Sequence, residues 1–303
     1  MAEMRKTKDF LENEVVDLTE EIKRTSPTDT PLTTMLMQKG QVVKATDITV
    51  TWRERELNSQ RGTLKLEGAE AGEILTSTRG SLSNVCQIIE KVTAVSGTAE
   101  ALRPLGIGSS FDDEVNDRLI ETKRDLEWYF LNGVKTLEAD DTPRQMAGLI
   151  NLVNDNNVVS TAGALTEDHF LDALQKMWEH GAQGSYFAFV NASQKRAINA
   201  LAKKEGNVRW VVDNGSLTNV HGIAVSKIVT DFGEISLVLD RYMDNDTILT
   251  LDLDEVQIAE LRPTFFERLP KAGDYLKGHV INESTIKLLN SYAGSKILVT
   301  ANA

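Results

Sequence analysis

Apolar residues recur at helical spacing most clearly over residues 111–135, FDDEVNDRLIETKRDLEWYFLNGVK. Val115, Leu119, Leu126 and Phe130 stand four, seven and four apart on one face, and Tyr129 and Val134 widen the stripe. Arg118, Lys123, Arg124 and Glu127 fall largely on the other side. Asp112, Asp113 and Glu114 load the first turn with negative charge, where unpaired N–H groups and the helix dipole favour it. Gly133 is the C-terminal punctuation. At 1.5 Å per residue such a helix reaches roughly 35 Å. The pattern predicts a long helix with one buried face, against which other elements pack.

Residues 8–24 place Leu11, Val15, Leu18 and Ile22 on one face of a short amphipathic helix. Pro27 and Pro31, within Ser26–Pro31, break it and bias the backbone to extended form. The helix therefore reads as tethered by an extended arm and docked on its own core or on a neighbouring subunit. Ile48, Val50 and Trp52 alternate with polar residues as a strand does, and residues 85–95, VCQIIEKVTAV, are also strand-like. Between them, residues 53–84 are charged and carry no core pattern, which is unusual inside a compact domain. They read as an extended two-stranded excursion, with a disordered surface loop as the alternative.

Further along, residues 145–153, QMAGLINLV, suggest a buried turn or strand, and Asp155–Asn157 a loop. Thr166 caps a helix reaching about His180 and ended by Gly181. Tyr186–Val190 is a strand, and Asn191 or Ser193 caps a helix whose Ile198 and Leu201 face inward. Ile223–Val229, Ile235–Leu239, Thr247–Leu253 and Val256–Leu261 read as strands joined by tight turns, and residues 279–299 as two more. Helices and strands mix without a regular βαβ beat, which favours α+β over a doubly wound α/β fold.

Composition adds little to this picture. The 303 residues, 26% charged and 41% hydrophobic, suit a globular protein of one large domain or two modest ones. No apolar run is long enough to span a membrane, and the first residues, MAEMRKTKDFLENE, lack the apolar core of a signal peptide, so a cytoplasm is the expected place of synthesis. The net charge of −12 argues against tight nonspecific binding of nucleic acid and leaves proximity to it open.

Candidate chemistry is sparse. Cys86 is the sole cysteine, which rules out an intrachain disulfide, and it reads as a small buried hydrophobe. His169, His180, His221 and His279 are scattered and form no H-E-x-x-H arrangement. Gly106-Ile107-Gly108 lacks the further glycine of a phosphate loop, and no G-x-S-x-G elbow occurs. Asp252-Leu253-Asp254-Glu255 is the carboxylate cluster to weigh. Alternating acids can share a hard divalent cation, but acids are also routine in turns. No catalytic, cofactor-binding or metal-ligating set is assigned.

Several stretches in order carry a resemblance. They are Thr30-Pro31-Leu32 leading to Lys39-Gly40, Val50-Thr51-Trp52, Leu66-Glu67-Gly68-Ala69, Asn84-Val85-Cys86-Gln87-Ile88 and Val95-Ser96-Gly97-Thr98. Lys123-Arg124-Asp125-Leu126-Glu127, residues 228–233 (IVTDFG), Asp240-Arg241, residues 251–254 (LDLD) and Leu261-Arg262-Pro263 follow. The set resembles tailed-bacteriophage major capsid proteins with the Hong Kong 97-type fold, over about residues 28–290.

The resemblance implies an N-terminal arm with its amphipathic helix over 1–45, and an extended loop with flanking strands over 46–95. It implies a peripheral domain over 96–159 with the spine helix at 111–135, an axial domain over 160–245, and return strands over 246–303. It implies no enzymatic activity and no cofactor. The expected function is self-assembly into pentamers and hexamers of an icosahedral shell around phage double-stranded DNA. The partners would be other copies, a portal, and decoration proteins, with the capsid assembled in the host cytoplasm. About 27 residues precede Thr28, which implies a separate scaffolding protein in place of a long cleaved segment. Some relatives cross-link lysine to asparagine between subunits; Lys65 and Asn282 could take those roles, though no motif supports it. The alternatives are a prokaryotic nanocompartment shell of the same fold and, from another class, a metal-dependent hydrolase using Asp252 and Asp254.

Overall fold

The computed structural model describes residues 28–62, 64–72, 74–102, 109–161, 163–182, 185–205, 210–212 and 225–299. The helix expected over 8–24, the Gly106–Gly108 turn and His221 lie outside them. In chain order the elements are α1 (Pro31–Gln38), β1 (Val42–Lys44), β2 (Thr49–Glu56), β3 (Thr78–Val85), β4 (Gln87–Ser96), α2 (Gly97–Ala101) and α3 (Ser110–Asn132). Then come α4 (Leu149–Leu152), β5 (Val158–Thr161), α5 (Glu167–Glu179), β6 (Ser185–Val190), α6 (Ala192–Glu205) and β7 (Trp210–Val212). Strands β8 (Val225–Thr230), β9 (Gly233–Leu239), β10 (Thr247–Leu251), β11 (Val256–Arg268), β12 (Tyr275–Leu288) and β13 (Gly294–Val299) complete the chain. This is an α+β fold.

The chain forms two compact units, and α3, β4, β11 and β12 each run from one into the other. The smaller unit holds residues 91–121 and 266–280. Its centre is Phe111, buried in the first turn of α3, with the Phe266 ring edge-on at 5.9 Å and the Arg268 guanidinium 5.2 Å from its centroid. Ser96 caps α2 by accepting from the Ala99 N–H at 3.2 Å, and Glu100 accepts from the Phe111 N–H at 3.0 Å.

The larger unit contains a seven-stranded sheet in the order β5-β13-β10-β6-β9-β8-β7. It is mixed: β6 runs parallel to β9 (Ala188 opposite Leu237) and β13 parallel to β5, while β10 is antiparallel to both β6 and β13. Every residue of β10 is buried, as a central strand requires. Strands β10 and β13, which the resemblance assigned to the return strands of 246–303, thus share a sheet with β6 and β9 from within 160–245. Helix α5 covers β5 and β13 with Phe170, Leu174 and Met177. It begins where Thr166 and His169 close a capping box and ends at Gly181, whose φ of 84° suits glycine. A four-stranded sheet, β1-β11-β12-β4, is extended by the parallel pairing of Val42–Lys44 with Ile258–Glu260.

The spine helix α3 ends at Asn132, three residues short of the expected 135. Leu126 and Phe130 are buried as the stripe demands, Val115 and Leu119 are half-buried, and Val134 lies past the helix, exposed. Gly133 does not end the helix through a left-handed turn. It and Gly148 let two backbone segments meet, with the Gly148 N–H donating to the Gly133 carbonyl at 2.8 Å. A Cβ on Gly148 would lie 2.5 Å from the Leu131 carbonyl oxygen.

Two sequence expectations change here. Pro31, read as a breaker, occupies the first turn of α1, where its missing N–H costs nothing. The chain thus turns helical at Pro31, and α1 buries Leu32, Thr33 and Leu36. Glu127, placed on the polar face, is fully buried, because its carboxylate accepts from the Leu32 and Thr33 N–H groups at 2.7 and 2.8 Å. It satisfies the exposed donors of another helix's N-terminus. Elsewhere, residues 149–152 form the short helix α4 in place of a turn or strand, and Asp155–Asn157 form a 3₁₀ turn.

Candidate functional site

Strands β2 and β3 form a two-stranded ribbon of their own, paired antiparallel from Thr49 opposite Val85 at the root to Glu56 opposite Thr78 at the far end. Its root is fixed in the larger unit. The buried Asn84 amide donates to the carbonyls of Ala147 and Ile286 at 2.9 and 2.8 Å and accepts from the Ala147 N–H at 2.8 Å. Lys135 donates to the Ser83 carbonyl at 2.6 Å, and Ser291 donates through its N–H and hydroxyl to the Glu54 carboxylate. A cleft of about 730 Å³ beside this root is lined by Arg53, Arg55, Leu57, His180 and Tyr292.

Burial is lost outward. In β3 the four residues from Thr78 to Ser81 are exposed and only Asn84 and Val85 are buried. Beyond the ribbon the loop carries Leu57, Leu64, Leu66 and Ile74 at 77, 98, 87 and 92% exposure. Soluble monomers seldom hold large apolar side chains in so open a run.

The residues weighed for chemistry are used inside the subunit. Asp252 caps the Leu253–Glu255 turn, accepting from the Asp254 N–H at 3.0 Å, and burial pushes its carboxyl above the usual range. Asp254 pairs instead with Lys39 at 2.7 Å. Among the described residues no group of three or more His, Cys, Asp or Glu is placed to hold a metal ion. His169 accepts the Thr166 N–H at 3.0 Å as part of the α5 cap, His180 stacks on Tyr292 at 3.8 Å, and His279 lies 3.7 Å from Glu267.

Asn282, the conceivable cross-link acceptor, is buried; its amide donates to Thr264 at 3.0 Å and accepts from Ser284 at 2.6 Å. Lys65, on the exposed loop, donates to the Glu70 carbonyl. Cys86 is fully buried, and burial, then the charge of Glu283, push its thiol up to about 11. At pH 8 about one molecule in a thousand would carry a thiolate. Native protein should therefore resist alkylation by iodoacetamide for hours while denatured protein reacts within minutes; equal rates would show that β3–β4 opens readily.

Sequence reasoning missed Glu283. It is a buried carboxylate held by Arg144 and, at 2.6 Å, by Arg262, with Arg144 also donating to Glu138 at 2.5 Å and to the Cys86 carbonyl at 2.6 Å. No local pattern marks such a network, since its members come from four separate segments.

This topology, with a long helix, an outlying ribbon and a mixed sheet, is that of the Hong Kong 97-type capsid fold. Solved structures agree on the fold. The chain is similar to the Cyanophage A-1(L) capsid protein at TM-score 0.71, 14% identity, covering 97% of this chain and 98% of that one. It is similar to the capsid protein of the native GTA particle at TM-score 0.66, 14% identity, covering 96% and 97%. The holo-SrpI encapsulin from Synechococcus elongatus matches at TM-score 0.60, 12% identity, covering 93% and 95%. No curated protein sequence matches. The sequence profile of the SU10 major capsid protein family matches residues 5–301, and the chain belongs to that family. It is a major capsid protein, a structural component of a virion shell built from copies of itself. No helix among the described residues is long and apolar enough to cross a membrane.

Proposed function

We propose that copies of this chain assemble as pentamers and hexamers into an icosahedral shell enclosing phage double-stranded DNA, with the β2–β3 arm lying across a neighbouring subunit. The observation that carries this reading is the arm's unburied length. Five apolar side chains, Leu57, Leu64, Leu66, Ile74 and Leu75, could return at most about 2–3 kcal/mol each on burial. Ordering some twenty loop residues costs about 1–2 kcal/mol apiece. The loop therefore lacks a reason to be ordered within one subunit and gains one against a second. Individually weak contacts repeated through a shell become strong by multivalency.

In this reading residues 46–95 are the extended loop with its strands, α3 is the spine of a peripheral domain over 96–159, and 160–245 form the axial domain. Portal, scaffolding and decoration proteins are its partners, DNA is met by nonspecific proximity, and assembly takes place in the host cytoplasm. The likeness to the encapsulin complex favours a second reading, a nanocompartment shell. The contents of purified particles separate the two: nucleic acid for a phage head, a protein cargo for a compartment.

The test is replacement of Ser59–Glu73 by a short Gly-Ser linker. The unassembled subunit should melt within a few degrees of wild type while shell formation is lost. Amide exchange in the loop should be fast in free subunits and slow in particles. A variant that still forms shells, or a loop equally protected in both states, would remove the clamp.

A further inference from the structure

Two carboxyl groups meet in the interior at the start of α1. Glu127 on α3 and Asp240 at the end of β9 are both fully buried. Glu127 is held by the Leu32 and Thr33 N–H groups at 2.7 and 2.8 Å and by the Thr33 hydroxyl. Asp240 Oδ1 accepts from the Tyr242 N–H at 2.8 Å, Oδ2 meets no protein N–H or hydroxyl donor, and the side chain is in hydrogen-bonding contact with Glu127.

Two carboxylates repel; an acid and a carboxylate bind each other through one proton. Both Glu127 oxygens face donors, as suits an anion at a helix N-terminus. The free position is Asp240 Oδ2, which can carry the hydrogen and donate it to Glu127. Burial is the main cause that raises both groups, lifting Glu127 to about 7; the charge of Asp240 adds to the rise at Glu127 and that of Asp29 to the rise at Asp240, while the hydrogen bond shared with Glu127 pulls Asp240 down.

From the arm, Asp29 faces Asp240 and is itself paired with Arg241 at 2.9 Å. On α3, one turn before Glu127, Arg124 has a buried Nε and Lys123 is engaged by the Thr34 hydroxyl at 3.1 Å. Tyr242 completes the turn after β9.

We propose that Glu127 and Asp240 form a one-proton latch that fastens the root of the N-terminal arm, Asp29–Thr33, to the spine helix, and that loss of the proton frees it. The sign follows from the direction of the shifts. Both groups hold the proton more tightly when latched than when open. The latch is therefore at full strength below the ordinary carboxylate range, and it weakens as pH rises from there through about 7. Arm release then responds to pH across the neutral range, in subunits and in any shell they build. Any effect of the latch within a shell rests on the assembly proposed above; the latch itself does not.

The test uses the unassembled full-length chain between about pH 5 and 8.5. Carbon-13 NMR should show one carboxyl of the pair titrating near neutrality. Protection of the Leu32 and Thr33 amides, corrected for intrinsic exchange, should fall about tenfold per pH unit across the titration. Asp240→Asn, whose amide donates permanently to Glu127, should keep those amides protected at every pH. The latch is overturned if both carboxyls titrate near their ordinary values, if wild-type protection is flat, or if Asp240→Asn keeps the wild-type pH dependence. Should Asp240→Asn fail to fold, the wild-type titration decides alone. These readings are made on free subunits, so their failure leaves the shell intact, and absence of shells under the microscope leaves the latch intact.

Discussion

Truncating Leu126 to alanine is expected to lower subunit stability by roughly 2–5 kcal/mol, measured by urea denaturation. The side chain is buried in a core shared with Phe130, Leu131, Leu36, Ile89 and Met146, so the lost methyl groups leave a cavity that these neighbours can only partly fill. Leu126→Asp goes further. It places a carboxylate in that apolar core and should abolish soluble folding. An aspartate variant that melts like wild type would mean that α3 presents a different face to the core.

Arg144→Met should cost about 3–5 kcal/mol by the same measurement. Glu283 is buried, and Arg144 supplies one of its two cationic partners while also tying down the Cys86 carbonyl. Removing that guanidinium leaves Glu283 with Arg262 alone, whose side chain is 45% exposed, so the carboxylate is buried and under-compensated. The double variant Arg144→Met with Glu283→Gln should recover part of the loss, because the uncompensated charge goes with it. A single-variant loss below about 1 kcal/mol would place the pair among exposed ion pairs, with water reaching Glu283.

How much could be read beforehand depended on whether the physics was local. Thr166 and Gly181 delimit α5 through cap chemistry that needs no partner, and both ends are visible in the sequence. The Leu126–Phe130 stripe is visible for the same reason. The ribbon Thr49–Val85 could be inferred from an absence, since some thirty residues, rich in charge and without a core pattern, have nowhere to bury themselves. Helix α1 was concealed because proline at a helix start and proline as a breaker look alike until Leu32 and Leu36 find a core.

The outer parts of β11 and β12, across residues 262–278, were hidden by Pro263 and by exposure that does not alternate. Glu127, Asp240 and Glu283 lay furthest out of reach. A carboxylate is buried only where distant segments bring donors or cations to it, and Glu127 waits on α1 just as Glu283 waits on Arg144. The assembly surface was legible in outline, because apolar residues among polar ones over 57–75 have no partner nearby in the chain.

Electron microscopy of the purified, untagged protein at assembly concentration tests the shell most directly. The account predicts closed particles tens of nanometres across, or free pentamers and hexamers that close on addition of scaffolding protein. A population of monomers and dimers that forms neither capsomers nor shells, with or without that protein, would contradict it.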